Sequence, residues 1–512
     1  MEEGGDGLEF DSILFGNHPY KLEKKEPAFF QDLQLDYLLR LISNSVRGYN
    51  IAPYYYTLPG DREVIEFRQQ VLKDLSDEKL FGCIKEFCKK VQRSRQLGSY
   101  IYQCEETMQK ASYHLEAAKC YWEALKKLKE DMDSSFFSSD GIKTFQTYVH
   151  RCIEELKARG FEEAIERASE FFAKIRFQLV IEQDSMTITE GEGSGENYLE
   201  GLADLIKAEK GAVQTSLYDI YPNSLEQSVL ESVLIKMLKK SNPDIFQELK
   251  SFYENYPEFY SEKILCFAEE VQFYLSFIVF VRRTEDIGFS LQFPSVSDGD
   301  FFGSGLYDLA LAWKNGKGYK IVSNDFAYSE KASFFVVTGP NQGGKTTFAR
   351  SMGQAVYFAM MGLKGNALTL TVPMFEGLAT HFEAEETLLS NSGKLKEEID
   401  RLVPMMQQEK RRQFVILNEL FTTATTYDAM IMGKRVMEHF IGRDCYGIYV
   451  THIQELAEES ESIVSLVAQL EEGEEERRTY RILPMKAQGH GYTDSLVKEF
   501  ALRYEDILKR LG

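Results

Sequence analysis

Nothing at the start of this 512-residue chain looks like a secretory signal: Met1-Glu2-Glu3-Gly4-Gly5-Asp6 is acidic and has no apolar core. Long hydrophobic runs are also scarce. The longest beside a helix pattern, Phe273 to Val281, falls well short of the ~20 apolar residues that span a bilayer, so no membrane role is expected. Cysteine is sparse: the 7 residues are odd in number and scattered, Cys83 and Cys88 lack zinc-site spacing, and no second pair matches them. That excludes a disulfide framework and a zinc ribbon, and it fits reduced thiols in a cytoplasmic protein. Positive charge is short as well, with 59 Lys and Arg against 80 Asp and Glu and a net charge of -21. Non-specific binding to nucleic acid draws on neutralised phosphates, so an acidic chain argues against a broad basic groove. The two basic clusters, Lys85, Lys89, Lys90, Arg93 and Arg95, and Lys410-Arg411-Arg412, read better as solvated surface. What the chain does have is 44% hydrophobic and 13% aromatic residues, a folded composition, and length for two or three domains.

The most informative stretch is Thr338-Gly339-Pro340-Asn341-Gln342-Gly343-Gly344-Lys345-Thr346-Thr347, of the form G-x-x-x-x-G-K-[ST]. The apolar run Phe334-Phe335-Val336-Val337 before it predicts a buried parallel strand. Phe348 onward, through Met352, Ala355, Val356 and Ala359, has helical spacing. A glycine-rich loop between strand and helix turns backbone N–H groups toward phosphates, and the helix start adds partial positive charge. Lys345 then reaches the β- and γ-phosphates of ATP, and the Thr346 hydroxyl ligates Mg²⁺.

A second strand, Gln413-Phe414-Val415-Ile416-Leu417, ends in Asn418-Glu419, where P-loop ATPases carry an acidic pair for the Mg²⁺ shell and the attacking water. A third, Gly447-Ile448-Tyr449-Val450-Thr451, ends at His452. In order, the Pro-Asn-x-Gly-Gly-Lys loop, the run Asn418 to Asp428, and Thr451-His452-Ile453-Gln454-Glu455-Leu456 resemble the ATPase domain of the MutS family. There the stretches look like T-G-P-N-x-G-G-K-S/T, D-E-x-G-x-G-T-S/T-x-x-D-G and T-H-x-x-E-L. The resemblance is strong from Ser323 to Leu456 and fainter on both sides. It implies an α/β P-loop ATPase domain with a mostly parallel sheet, working as a homodimer that grips DNA or another large nucleic acid. Glu419 is then the water-orienting base, His452 the γ-phosphate sensor, and Thr346, Asn418 and Glu419 the Mg²⁺ set. Asn418 stands where the family has Asp, and Phe421 and Thr423 replace its glycines, so slow hydrolysis is expected. A non-hydrolysing nucleotide switch or scaffold is the rival reading. An ABC-type ATPase of another complex is a further one, against which Pro340-Asn341, Thr451-His452 and the lack of an L-S-G-G signature stand.

Two further elements follow from the resemblance. Leu389-Ser390-Asn391-Ser392-Gly393-Lys394 precedes a predicted helix from Leu395 to Gln408, with Pro404 inside. Ser390 or Ser392 either caps that helix alone or also meets the nucleotide of a partner subunit. Asn324, in Ile321-Val322-Ser323-Asn324-Asp325, lies on the adenine side; Ile321 takes the place of the family's stacking aromatic, with Tyr319 nearby.

The expected organisation is an N-terminal segment 1–60, a mainly α-helical core and lever domain 61–285, and the ATPase domain 286–512. Val64, Phe67, Val71 and Leu75 form one helical stripe; Ala111, Leu115, Ala118, Trp122 and Leu125 form another. Alternation at Ile175, Phe177, Leu179 and Ile181, then Met186 and Ile188, predicts a small β-hairpin near 175–190. An acidic turn at Glu471 to Glu476 and a last helix with Leu496, Phe500, Tyr504, Ile507 and Leu511 on one face complete the pattern. A mismatch-reading domain with a Phe-x-Glu wedge, and a connector domain, are not expected. Phe161-Glu162-Glu163 spells the wedge by coincidence inside a helical stretch.

Overall fold

The run Phe334–Thr338 is buried at every position, as only a strand covered on both faces can be. In the computed structural model it is β1 of a six-stranded sheet. The structure describes residues 9–104, 106–173, 176–182, 185–190, 196–197, 239–240, 243–328, 333–382, 393–471 and 477–487. The other strands are β2 (Gly377–His381), β3 (Gln413–Asn418), β4 (Tyr446–Val450), β5 (Ile463–Glu471) and β6 (Arg477–Pro484). Their order is β6-β5-β1-β4-β3-β2, parallel except for β6, which returns antiparallel along β5. Three helices flank the sheet: α1 (Lys345–Met360), α2 (Lys394–Met406) and α3 (Thr426–Ile441). Leu402 and Met405 of α2, and Val436, Met437 and Phe440 of α3, join one buried cluster with Val336, Val415, Leu417 and Tyr449. On α1, Gly353 allows close approach: a Cβ there would lie 2.5 Å from Leu33 Cδ2 and 2.7 Å from Ile416 Cδ1. A four-stranded sheet, ordered Ser295–Ser297, Thr369–Pro373, Phe302–Leu306 and Asn324–Ala327, belongs to the same unit.

The chain divides into two compact units, residues 13–73 with 270–512 and residues 1–12 with 74–269. This division differs from the expected boundaries at 60 and 285. Residues 13–73 and 270–285 join the ATPase unit because their side chains are buried there. Arg68 is fully enclosed, donates from Nε to the Leu14 carbonyl at 2.9 Å, and lies between the rings of Phe15 and Phe273. Tyr357 of α1 donates to the Tyr55 carbonyl at 2.7 Å, and Phe277 packs on Phe358.

The other unit is helical, built of Glu78–Tyr100, Thr107–Asp133, Asp140–Ala158, Phe161–Ala173 and Pro243–Asn255. The stripe Ala111, Leu115, Ala118, Trp122 and Leu125 is buried throughout. Arg176–Glu182 and Ser185–Glu190 form an antiparallel hairpin with Ile181 opposite Met186. Phe161 opens its helix wholly buried against Trp122, Phe252, Tyr256 and Phe259, so its ring is a core element.

One expectation about apolar length is corrected. Helix Glu262–Asp286, mean hydropathy 1.8, is long and apolar enough to cross a membrane by length and composition. Yet 78% of that window is buried inside the protein, as in a core helix. Residues 472–476 of the acidic turn, the last helix, Ser390 and Ser392 lie outside the described residues.

Candidate active site

Parallel strands bring their carboxyl ends to one edge, and three of them carry the sequence motifs there. After β1 the chain turns through Gly339 (φ 125°), Gln342 (φ 59°) and Gly344 (φ 92°) into α1. Glycine is required twice by space: a Cβ on Gly339 would lie 2.9 Å from Ala468 Cβ, and one on Gly343 2.9 Å from the Pro340 carbonyl. No side chain caps α1, so its first N–H groups are left to an anion.

Lys345 is 4% exposed, and its Nζ donates to the Gly339 and Pro340 carbonyls at 3.0 Å each. Burial pushes its ammonium below the usual lysine value, against the pull of Glu419. The Thr346 hydroxyl donates to Asn418 Oδ1 at 3.0 Å, joining α1 to the end of β3. Glu419 turns left-handed (φ 53°) and gives its N–H to the Val450 carbonyl at 2.8 Å. Its carboxylate meets His452 Nε2 at 3.0 Å, and that hydrogen bond holds it below the usual carboxylate range although burial opposes the shift.

These groups line one cleft of about 650 Å³. Asn341, Gln342, Gly344, Lys345, Thr346 and Thr347 form one wall, with Glu419 and His452 beyond them. Tyr319, Ile321, Val322 and Asn324 line it as well. Gly339, Pro340, Gly343 and Asn418 shape the loop and its support from behind.

Some expectations change at this level. The Asn324 amide is committed: Nδ2 donates to the Tyr480 carbonyl at 3.2 Å and Oδ1 accepts from the Ile482 N–H at 2.7 Å. It is a strut to β6 that also lines the cleft. Gly393 takes the N-cap position of α2, and the helix runs Lys394–Met406; Ser390 and Ser392 lie outside the described residues. Several cleft residues were missed, among them Tyr480 and Asp308. Tyr480, half exposed on β6 with φ 57°, faces the Gly344 position at 3.5 Å. Asp308 caps the helix Leu309–Asn315 through Leu311 and pairs with Arg350 Nε at 2.5 Å. Asp ahead of an apolar helical run is a cap signal that could have found Asp308; nothing local marks Tyr480.

Parallel strands, a phosphate-type loop and a polar pair at the next strand end define a P-loop ATPase domain. Residues 335–491 match the family model MutS domain V. The chain is 30% identical to DNA mismatch repair protein MSH6 of Arabidopsis thaliana over 166 residues, 30% of this chain and 12% of that protein. It is 26% identical to DNA mismatch repair protein MutS of Streptococcus pyogenes serotype M1 over 147 residues, 28% of this chain and 17% of that one. With DNA mismatch repair protein msh-3 of Neurospora crassa it shares 28% over 153 residues, 30% and 13% of the two chains. The chain thus spans less than a fifth of the length of each of these relatives. Residues 335–491 are similar to the ATPase domain of MutS-family proteins.

Proposed function

We propose that this chain binds ATP with Mg²⁺ in the cleft, hydrolyses it slowly, and dimerises through its P-loop domains. Nucleotide state then governs a grip on DNA or another large nucleic acid. One observation carries the reading: Lys345, Thr346, Glu419 and His452, from three separate strand ends, line a single cleft. Its volume lies in the range of small-molecule sites.

On binding, Lys345 exchanges its two backbone carbonyls for β- and γ-phosphate oxygens. The α1 N–H groups and the left-handed turn at Gln342 and Gly344 face the same anion. Thr346, Asn418 and Glu419 offer a hydroxyl, an amide oxygen and a carboxylate, an all-oxygen set suited to Mg²⁺ shared with phosphate. Bound Mg²⁺ would supply charge neutralisation at the phosphates. Glu419 accepts the proton of the attacking water, and His452, already bonded to it, reaches toward the γ-phosphate. Asn418 adds no charge, which supports slow turnover. The same substitution favours a second reading, a nucleotide switch that binds without hydrolysing.

Measured ATP affinity and steady-state phosphate release separate the two readings. Binding with turnover supports the first; binding without it supports the switch; no binding overturns both. The grip is tested with protein held in ATP, presented with duplex, branched DNA and structured RNA at fixed salt. No retention of any of them overturns the nucleic-acid part.

A further inference from the structure

We infer that Glu398 on α2 is a positioning residue for Glu419, so that the placement of α2 sets the rate of hydrolysis; this rests on the ATPase reading above. The chain leaving β3 holds two non-glycine residues in the left-handed region within three positions, Glu419 (φ 53°) and Phe421 (φ 61°). L side chains resist that backbone, and it persists only where its surroundings over-determine it. In the MutS-like pattern glycine occupies the position of Phe421 and needs no such support.

Three clamps hold the turn here. The Glu419 N–H donates to the Val450 carbonyl at 2.8 Å, extending the β3–β4 ladder by one rung. The Phe421 ring is 2% exposed in the cluster that contains Leu402 and Met405 of α2. The Phe421 N–H donates to Glu398 Oε1 at 2.5 Å, a hydrogen bond to a charged acceptor. One of these clamps, the Glu398 carboxylate, comes from α2, whose Leu402 and Met405 also belong to the cluster that buries the ring. Glu398 does not line the cleft. It acts through the backbone of Phe421, two residues from the carboxylate that His452 also holds. A displacement of α2 pulls on that backbone and changes where the Glu419 carboxylate points.

The test compares wild type, Glu398→Ala and Glu398→Gln, all checked for an unchanged melting profile. Glu398→Ala should lower kcat at least tenfold while affinity for a fluorescent ATP analogue stays within twofold. Glu398→Gln keeps an acceptor oxygen and should recover kcat to within threefold. In nucleotide-free protein, Glu398→Ala should speed amide exchange in the 419–424 segment tenfold or more, with β3 and β4 unchanged. Unchanged kcat, or kcat and affinity falling together, overturns the inference. Should wild type show no turnover at all, the ATPase reading fails first, and the exchange measurement still decides: an unaltered 419–424 segment overturns Glu398 as the clamp.

Discussion

Replacing Lys345 by alanine is the sharpest probe of the cleft. Its Nζ sits 3.0 Å from two backbone carbonyls in a nearly closed position, so the ammonium is already desolvated and aimed. Binding ATP exchanges those partners for charged phosphate oxygens. A hydrogen bond between charged groups contributes about 1.5–3 kcal/mol, against about 1 kcal/mol for a neutral one. Two such contacts, less the two bonds given up to the carbonyls, amount to about 1–4 kcal/mol. That is roughly a 5- to 1,000-fold rise in Kd for ATP. Equilibrium titration with a fluorescent ATP analogue and Mg²⁺ reads the affinity directly. Thermal unfolding gives an independent check: ligand at 100 times Kd stabilises by about 2.7 kcal/mol, and a 100-fold weaker variant at the same concentration gains only about 0.4 kcal/mol. Equal affinity in Lys345→Ala and wild type would refute the placement of the phosphates.

The remaining predictions address the catalytic pair, the metal and the helical unit. Glu419→Gln keeps the side-chain shape and removes the base, so turnover should fall by about 10² or more while ATP affinity stays within about threefold; light scattering with ATP and Mg²⁺ should then report a trapped dimer, and wild-type turnover would remove Glu419 from the mechanism. Asn418→Asp restores a charge beside the Thr346 hydroxyl and should lower the Mg²⁺ concentration for half-maximal activity; an unchanged Mg²⁺ dependence would mean that other groups hold the metal. Phe161→Ala opens a cavity among four aromatic rings and should destabilise the helical unit by about 3–5 kcal/mol in urea unfolding; a loss below about 1 kcal/mol would contradict its burial. Because that ring is enclosed, competition between matched and mismatched duplexes at fixed salt should show less than tenfold preference, about 1.4 kcal/mol. A larger one would reveal a mismatch reader elsewhere in the chain.

The chemistry that sequence alone determines is local chemistry. Thr338 to Thr347 carries its meaning in ten consecutive residues, since glycine spacing, a lysine and a helix start suffice to shape a phosphate loop. The strands Phe334–Thr338, Gln413–Asn418 and Tyr446–Val450 were legible because strands buried on both faces are almost continuously apolar. Tertiary structure decided what lies between these segments. Asn418 meets Thr346 across 72 positions of chain, and Asn324 meets β6 across 158. The left-handed Phe421 contradicts local preference and stands where its ring is buried and Glu398 of α2 takes its N–H. Residues 1–60 read as a separate segment and 61–73 as part of the helical domain, yet Arg68 is enclosed by Phe15 and Phe273 in the ATPase unit. Helix Glu262–Asp286 carries too many polar residues to read as one apolar run, and its burial emerged only from the fold. Each of these depends on which distant groups share a desolvated space, and no window along the chain contains that partner.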